Sequence, residues 1–79
     1  MLNLMAMQDW RAIVGGNIRR RRQELGLTQE QVALDAEIDL TYMGGIERGK
    51  RNPSLLVLVR VATVLRLAPA EILKKPEAD

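Results

Sequence analysis

Residues 28–48 carry the sequence TQEQVALDAEIDLTYMGGIER, in which two short helical patterns are separated by only a few residues. Thr28, followed three residues later by a glutamine, forms a capping box typical of a helix start, and we predict a helix from there to about Ala36. Asp39 is a preferred N-cap residue and predicts a further helix over roughly Leu40–Arg48. Because the connection is so short, the two helices must cross at a steep angle.

Two helices that cross so closely require apolar residues between them and a small residue where they touch, and the sequence has both. Val32, Met43 and Ile46 are apolar at the positions that would fill the wedge between the helices. Ala33 is small where the two backbones would approach most closely, a demand that a simple pair of amphipathic helices would not make. We therefore predict a helix-turn-helix unit over residues 29–48, whose second helix can lie in a DNA major groove while the first lies across the backbone.

Helical patterns continue on both sides of this unit, and strand alternation is absent. Each of three further helices begins at a residue suited to a helix N-terminus, and we predict them over residues 9–25, 54–66 and 69–74. Their inward-facing residues recur at helical spacing: Val14, Ile18 and Leu25 with the stem of Arg22 in the first helix, and Leu55, Leu58, Val61, Ala62 and Leu65 in the fourth. The prediction is an all-α fold, a compact five-helix bundle, in one domain over residues 1–79 with its core at 9–75.

The composition of the chain excludes several classes of function. Its 79 residues allow only a small core, and the absence of cysteine and histidine removes disulfides and nearly all zinc or iron sites. Because a glycine-rich phosphate loop is also missing, we predict no metal site, no cofactor, no catalytic residue and no enzymatic activity. No stretch approaches the roughly 20 apolar residues of a membrane span, and the apolar segment Met1–Met7 lacks the features of a signal peptide. We expect no membrane association and a cytoplasmic location.

The net charge of +2 conceals an uneven distribution. Residues 11–22 carry five arginines and no acid, residues 24–47 carry six acids and no base, and residues 48–66 carry five bases and no acid. Either the basic runs are simply solvated faces, or the two basic blocks hold nucleic-acid phosphates while the middle of the chain makes other contacts. Charge alone leaves both interpretations open.

Two stretches of the sequence resemble the lambda-repressor-like, Xre-type helix-turn-helix family. They are residues 28–33, TQEQVA, and residues 46–55, IERGKRNPSL, and the resemblance extends from Val14 to Leu73. Residues 39–48, DLTYMGGIER, look most like the controller proteins of restriction–modification systems, a branch of that family. The resemblance implies a sequence-specific DNA-binding transcriptional regulator that binds a palindromic operator as a homodimer, with the third helix in the major groove.

The resemblance also implies roles for individual residues of the third helix. Base contacts are implied for Leu40, Thr41 and Tyr42 in its first turn. An ordinary exposed surface remains the alternative for Thr41 and Tyr42. Arg22 and Glu47 match a buried ion pair of the family, which links the first helix to the end of the third.

Contacts to DNA phosphate are implied for residues outside that helix. Gln29 would hold phosphate and brace the recognition helix, while Arg51 and Asn52 lie in the loop that follows it. Arg21 is added to this group, with its stem expected on the core because the family usually has an apolar residue there. The alternatives are that Gln29 is only a helix-start residue, and that Arg21 and its neighbours form a solvated face.

Three further residues depart from the family pattern. Glu37 occupies a turn position where glycine is common, so a left-handed backbone there carries some strain. Gly44 and Gly45 stand where relatives often have polar side chains that reach bases. Either base contacts are concentrated in residues 40–42 and helped by DNA shape, or the helix backbone approaches the DNA closely at the glycines.

The fourth helix is apolar on nearly every side, and one bundle cannot cover a helix all round. Its surplus apolar residues, together with two on the fifth helix, predict a dimer interface: Leu56, Val57, Val59, Val64, Ile72 and Leu73. The alternative is a rather apolar core helix without a partner. The methionine-rich segment from Leu2 to Met7 either covers the bundle or extends this interface.

Two functions of different classes remain at this point. The first is the DNA-binding regulator, with double-stranded DNA and a second copy of the chain as partners and no small-molecule ligand. The alternative is a protein-interaction or antitoxin-like adaptor that retains the fold without base-specific contacts. Leu40, Gly44 and Gly45 favour the adaptor, and the basic flanks favour the regulator.

Overall fold

A computed structural model describes residues 9–76, and over this range the chain forms five helices and no strand. They are α1 (Trp10–Glu24), α2 (Gln29–Ala36), α3 (Leu40–Glu47), α4 (Leu55–Val64) and α5 (Pro69–Ile72). The predicted all-α, five-helix fold is confirmed. The predictions for the methionine-rich segment from Leu2 to Met7 lie outside the described residues.

Within residues 9–76, no helix is both long enough and apolar enough to cross a bilayer.

The predicted capping residues begin four of the five helices. Asp9, Thr28, Asp39 and Ser54 each accept a hydrogen bond from a backbone N–H of the first helical turn. At Thr28 the capping box is complete, because the Gln31 side chain accepts a bond from the Thr28 N–H in return. Such caps satisfy backbone donors that an isolated helix leaves unpaired, so the helix starts follow from local sequence.

The core is a single apolar cluster to which all five helices contribute. Its buried members are Val14, Ile18, Val32, Ala33, Ala36, Met43, Ile46, Val61, Ala62, Leu65 and Ile72. Two predictions are wrong here. Ile72 is fully buried within one chain and is therefore not available to a dimer interface, and Leu55, expected to face inward, is 71% exposed at the start of α4.

Polar side chains from distant helices satisfy the carbonyl groups at several helix ends. Arg60 of α4 donates to the Ala36 carbonyl at 2.9 Å, where α2 ends. Asn17 of α1 donates to the carbonyls of Ile72 and Lys74 at 2.7 and 2.8 Å, which fixes the end of α5. Buried carbonyl groups without a partner would be costly, so these contacts are part of the packing of the bundle.

α1 and α3 meet at Gly15 with no side chain between their backbones. A Cβ at Gly15 would overlap the carbonyl oxygens of Ile46 and Glu47, at the end of α3. The neighbouring Gly16, by contrast, faces open space. Gly15 is therefore required by the approach of the two helices, whereas Gly16 only lowers the helix propensity of α1.

The two adjacent glycines should respond in opposite ways to alanine. Gly15→Ala should lower the free energy of unfolding by about 1–3 kcal/mol, because backbone must move to admit the methyl group. Gly16→Ala should raise it by about 0.5–1 kcal/mol through helix propensity. Urea unfolding followed by circular dichroism measures both, and similar effects of the two substitutions would show that α1 and α3 are not in backbone contact at Gly15.

Candidate nucleic-acid interface

The turn between α2 and α3 sets the direction of α3. Glu37 adopts the left-handed conformation, with φ 59° and ψ 45°, as predicted from its place in the turn. The Ile38 N–H donates to the Ala33 carbonyl at 2.9 Å, which closes the end of α2. Asp39 then accepts a bond from the Thr41 N–H at 3.1 Å and starts α3. Two short helices are thereby joined by three residues at a fixed angle.

The first turn of α3 is open to solvent. Leu40 and Thr41 are exposed and Tyr42 is half-buried, so the three residues predicted to contact bases are all accessible. Met43 and Ile46, on the opposite side of the same helix, are fully buried in the core. α3 is thus held by its inner side and presents its N-terminal turn outward.

The Glu47 carboxylate, at the last residue of α3, joins three helices. Arg22 of α1 contacts it with two nitrogens, Nε to Oε2 at 2.6 Å and Nη2 to Oε1 at 3.0 Å. Gln29 of α2 donates from Nε2 to the same Oε1 at 2.9 Å. The third guanidinium nitrogen of Arg22, Nη1, donates to the Leu27 carbonyl at 2.9 Å. The structure thus places Arg22 and Glu47 in a bidentate ion pair, with Gln29 bracing it.

Burial makes this ion pair sensitive to the loss of either partner. The Glu47 side chain is 2% exposed and that of Arg22 is 13% exposed. The hydrogen bond to Glu47 raises the pKa of the Arg22 guanidinium above its ordinary value, and the attraction between the two charges adds to this, while burial opposes it. Arg22 therefore stays charged, and its charge is neutralised inside the bundle by Glu47.

Two exposed arginines lie beside this cluster. Arg19 of α1 and Arg48, just after α3, line an open pocket together with Arg22, Gln29 and Glu47. From the sequence, Arg19 is expected on a solvated face with its neighbours, and no role is predicted for Arg48. The sequence does contain a signal for the position of Arg19. It precedes Arg22 by three residues, so the two side chains share one face of α1.

Arg21 points away from this pocket. Its Nε donates to the Leu65 carbonyl at the end of α4, at 3.0 Å, and its Nη1 lies 3.4 Å from Glu24. The assignment of Arg21 to phosphate contact is therefore wrong, since its guanidinium is engaged within the bundle. The expectation that the stem of Arg21 lies on the core agrees better with the structure, because the side chain is partly buried.

Gly44 and Gly45 are both buried, although they lie on the outer part of α3. A Cβ at Gly44 would lie 3.0 Å from Nη1 of Arg48, and one at Gly45 would lie 2.7 Å from Cγ of Arg51. Arginine side chains of this chain therefore lie over the helix at both glycines, which leaves less room for one of the two expectations, the close approach of the helix backbone to DNA. Asn52, the next residue after Arg51, is exposed.

The residues predicted for a dimer interface separate into two groups. Leu56 and Leu73 are exposed at 68% and 48%, and Val59 is half-buried. Val57 and Val64 are also half-buried but pack against the core of their own chain. Of the residues predicted for the interface, only Leu56, at the start of α4, and Leu73, just after α5, are thus largely uncovered.

Comparison with known proteins finds similar chains among helix-turn-helix proteins. The helix-turn-helix family HTH_3 matches residues 18–72. The uncharacterized HTH-type transcriptional regulator y4dJ of Sinorhizobium fredii is 39% identical over 64 residues, which cover 81% of this chain and 83% of y4dJ. The control protein C.MunI of a Mycoplasma species is 31% identical over 74 residues, which cover 92% of this chain and 100% of C.MunI.

A solved structure shows the same arrangement of helices. It is the restriction-modification controller protein C.AhdI from Aeromonas hydrophila, with a TM-score of 0.76 and 39% sequence identity. The match covers 78% of this chain and 94% of C.AhdI. The resemblance drawn from residues 28–33 and 46–55 therefore extends to the fold.

Removal of the shared carboxylate should be far more harmful than removal of an exposed one. Glu47→Ala should lower the free energy of unfolding by about 3–5 kcal/mol, because Arg22 is left buried without its partner. Asp35→Ala, at an exposed position of α2, should change it by about 0.5 kcal/mol or less. Replacing the pair by Arg22→Met with Glu47→Leu should recover much of the loss. Thermal unfolding measures all three, and an unchanged melting temperature for Glu47→Ala would contradict the role given to the pair.

Proposed function

This chain belongs to the helix-turn-helix family HTH_3, and from that premise we propose that it is a transcriptional regulator that binds specific double-stranded DNA sequences through α3. One observation carries the proposal: the first turn of α3 is exposed, while the rest of the helix is fixed to α1 and α2 through Glu47. A rigidly held helix with an open N-terminal turn is what entry into a major groove requires.

The base contacts of this proposal lie in the first turn of α3. The Thr41 hydroxyl can donate to or accept from a base edge, and the Tyr42 hydroxyl has the same capacity. Leu40 has no hydrogen-bonding group, so its contribution is apolar contact with a thymine methyl group. Sequence dependence then comes from few direct contacts together with the shape of the DNA.

The phosphate contacts of this proposal lie around the N-terminus of α2. The capping box occupies the N–H groups of Thr28 and Gln31, so the N–H groups of the two residues between them point out of the helix end. A phosphate there would also meet the exposed cations Arg19 and Arg48, which line the pocket beside Gln29. Asn52, which is exposed in the loop after α3, belongs to the same group.

An adaptor without base-specific contacts is less well supported than the sequence suggested. The absence of side chains at Gly44 and Gly45 favoured it, since α3 then offered little to a base. Arg48 and Arg51 lie over those positions, so the outer part of α3 is covered by cationic side chains. That setting favours a polyanion as the partner.

We further propose that the regulator acts as a homodimer on an imperfect palindrome. Leu56 and Leu73 are large apolar side chains that one chain leaves exposed, and a second copy of so small a chain is the simplest partner to cover them. In a two-fold dimer the two α3 helices would address major grooves about 34–36 Å apart, one turn of DNA. Each half of the operator would then be bound by one chain.

Specific and non-specific contacts should separate in binding measurements. Thr41→Ala should cost about 1–3 kcal/mol on the operator and little on random DNA, because only the operator satisfies the hydroxyl. Arg48→Ala should weaken both alike and lower the slope of log affinity against log salt by about one unit, as a phosphate contact is lost. Gel shifts at several salt concentrations, on DNA upstream of the gene, measure both effects.

Thr63→Ala is the matched control for the first substitution, since Thr63 is an exposed threonine on α4. It should leave both affinities unchanged. If Thr41→Ala behaves like Thr63→Ala on the operator, α3 does not read sequence through its first turn, and the adaptor hypothesis moves ahead.

The dimer is tested by the mass of the particle in solution. Sedimentation equilibrium at micromolar concentration should give the mass of two chains. Leu56→Glu should shift it toward one chain, because a charge is then buried in the interface, while an acid in the first turn of α4 leaves the helix itself stable. Leu34→Glu alters a leucine that is 77% exposed on α2 and should leave the dimer intact. The mass of one chain for the unaltered protein would count against the homodimer.

A further inference from the structure

The Arg51 side chain lies along the outer face of α3, although Arg51 belongs to the loop that follows the helix. A Cβ built at Gly45 would be 2.7 Å from Cγ, 3.3 Å from Nε and 3.5 Å from Cδ of Arg51. Three neighbouring atoms of the arginine stem thus occupy the space that a side chain at position 45 would fill. Gly45 is buried for this reason, even though it follows the exposed Thr41 by one helical turn.

The guanidinium end of Arg51 is held as well. It lies 5.8 Å from the centre of the Tyr42 ring, within the distance at which a cation is attracted to an aromatic face. The loop itself is anchored next to this site, because the Lys50 N–H donates to the Gly45 carbonyl at 2.9 Å. Arg51 thus has contacts with α3 along its stem and at its charged end, and the residue before it is bonded to the same helix.

The hydrogen-bonding capacity of this guanidinium is not used by an acid of the bundle. Among the described residues, the ion pairs of arginine are those of Arg11, Arg21 and Arg22. Arg51 is exposed and lies beside Tyr42, in the first turn of the helix that we propose to enter the groove. Its forked donors match the two acceptors, N7 and O6, that guanine presents in the major groove.

We propose that Arg51 is a specificity-determining residue that contacts a guanine edge in the major groove, and that Gly45 and Tyr42 are positioning residues that hold it on α3. This inference rests on the proposed function and revises one expectation from the sequence, which placed Arg51 among the phosphate contacts. Gly45 acts by having no side chain, because any larger residue would displace the arginine stem. A side chain fixed before binding also loses less conformational freedom when it contacts the base.

Selection of operators from a random DNA library, followed by affinity measurements, tests the proposal. The unaltered protein should select a guanine at one position in each half-site. Arg51→Ala should lose the preference at that position, with a drop of about 5- to 150-fold in affinity for the selected operator. On random duplex DNA of the same length it should lose less than about threefold. Equal losses on the two DNAs would make Arg51 a phosphate contact and overturn the proposal.

The role of Gly45 is tested by a double-substitution cycle. Gly45→Ala should lower the affinity for the selected operator by a factor similar to that of Arg51→Ala, because both remove the arginine from α3. The variant that carries both substitutions should be no weaker than Arg51→Ala alone, which is the mark of two residues acting on one contact. Independent, multiplying losses would mean that the methyl group meets the DNA itself, and Gly45 would then have no positioning role.

Gly44→Ala is the matched control for this cycle. It makes the same change in the same helix, but its methyl group would approach closely only the far end of Arg48, a flexible group that can move aside, and would lie at an ordinary contact distance of 3.6 Å from the Gln29 side-chain oxygen. It should alter the affinity for the selected operator less than about threefold, and circular dichroism should show both alanine variants folded. If Gly44→Ala is as harmful as Gly45→Ala, the contact with Arg51 is not the cause.

The same experiment separates this inference from the proposed function. A protein that selects no sequence from the library contradicts both. A protein that selects a palindrome but keeps its selectivity in Arg51→Ala retains the proposed function and contradicts the role of Arg51 alone.

Discussion

A single buried carboxylate, that of Glu47, sets the orientation of α3 and of its exposed first turn. Glu47 ends α3 and receives hydrogen bonds from Arg22 of α1 and Gln29 of α2. α3 buries only two large apolar side chains completely, Met43 and Ile46, so apolar burial alone would fix its rotation weakly. Directional bonds to a charge fix it better, because each has a narrow range of distance and angle. The geometry of the outward-facing turn is thus set from inside the bundle.

Much of this arrangement could be predicted because its signals are local in the sequence. Asp9, Thr28, Asp39 and Ser54 determine where helices start through bonds to residues two or three positions away. The left-handed conformation of Glu37, directly after α2, also follows from a local signal, its place in the short turn between two helices. The pairing of Arg22 with Glu47 spans 25 residues, and no local pattern contains it. It was predicted only from the resemblance to a family in which such a pair occurs.

The errors concern side chains whose surroundings come from distant parts of the chain. The helical spacing of Ile72 and Leu55 is the same whether they face the core or solvent, and only the packing of α4 and α5 decides between the two. Arg21 is engaged by a carbonyl 44 residues away, which charge patterning does not reveal. The covering of Gly45 depends on the path of a loop, so a glycine in the sequence suggested an empty surface where an arginine lies.

The helix ends satisfied by distant side chains have a consequence for how the molecule opens. Arg60, Arg21 and Asn17 each complete the hydrogen bonding at the C-terminus of a helix other than their own. Each of α2, α4 and α5 is therefore incomplete without a neighbour, and the separation of one helix would expose unpaired carbonyls on another. Because each separation leaves carbonyls unpaired, partial unfolding is disfavoured. Backbone amide hydrogens in α2, α4 and α5 should therefore exchange with solvent through one common unfolding event. A domain of this size then behaves as one cooperative unit, in which α5 has little freedom to separate while α2 and α3 stay intact.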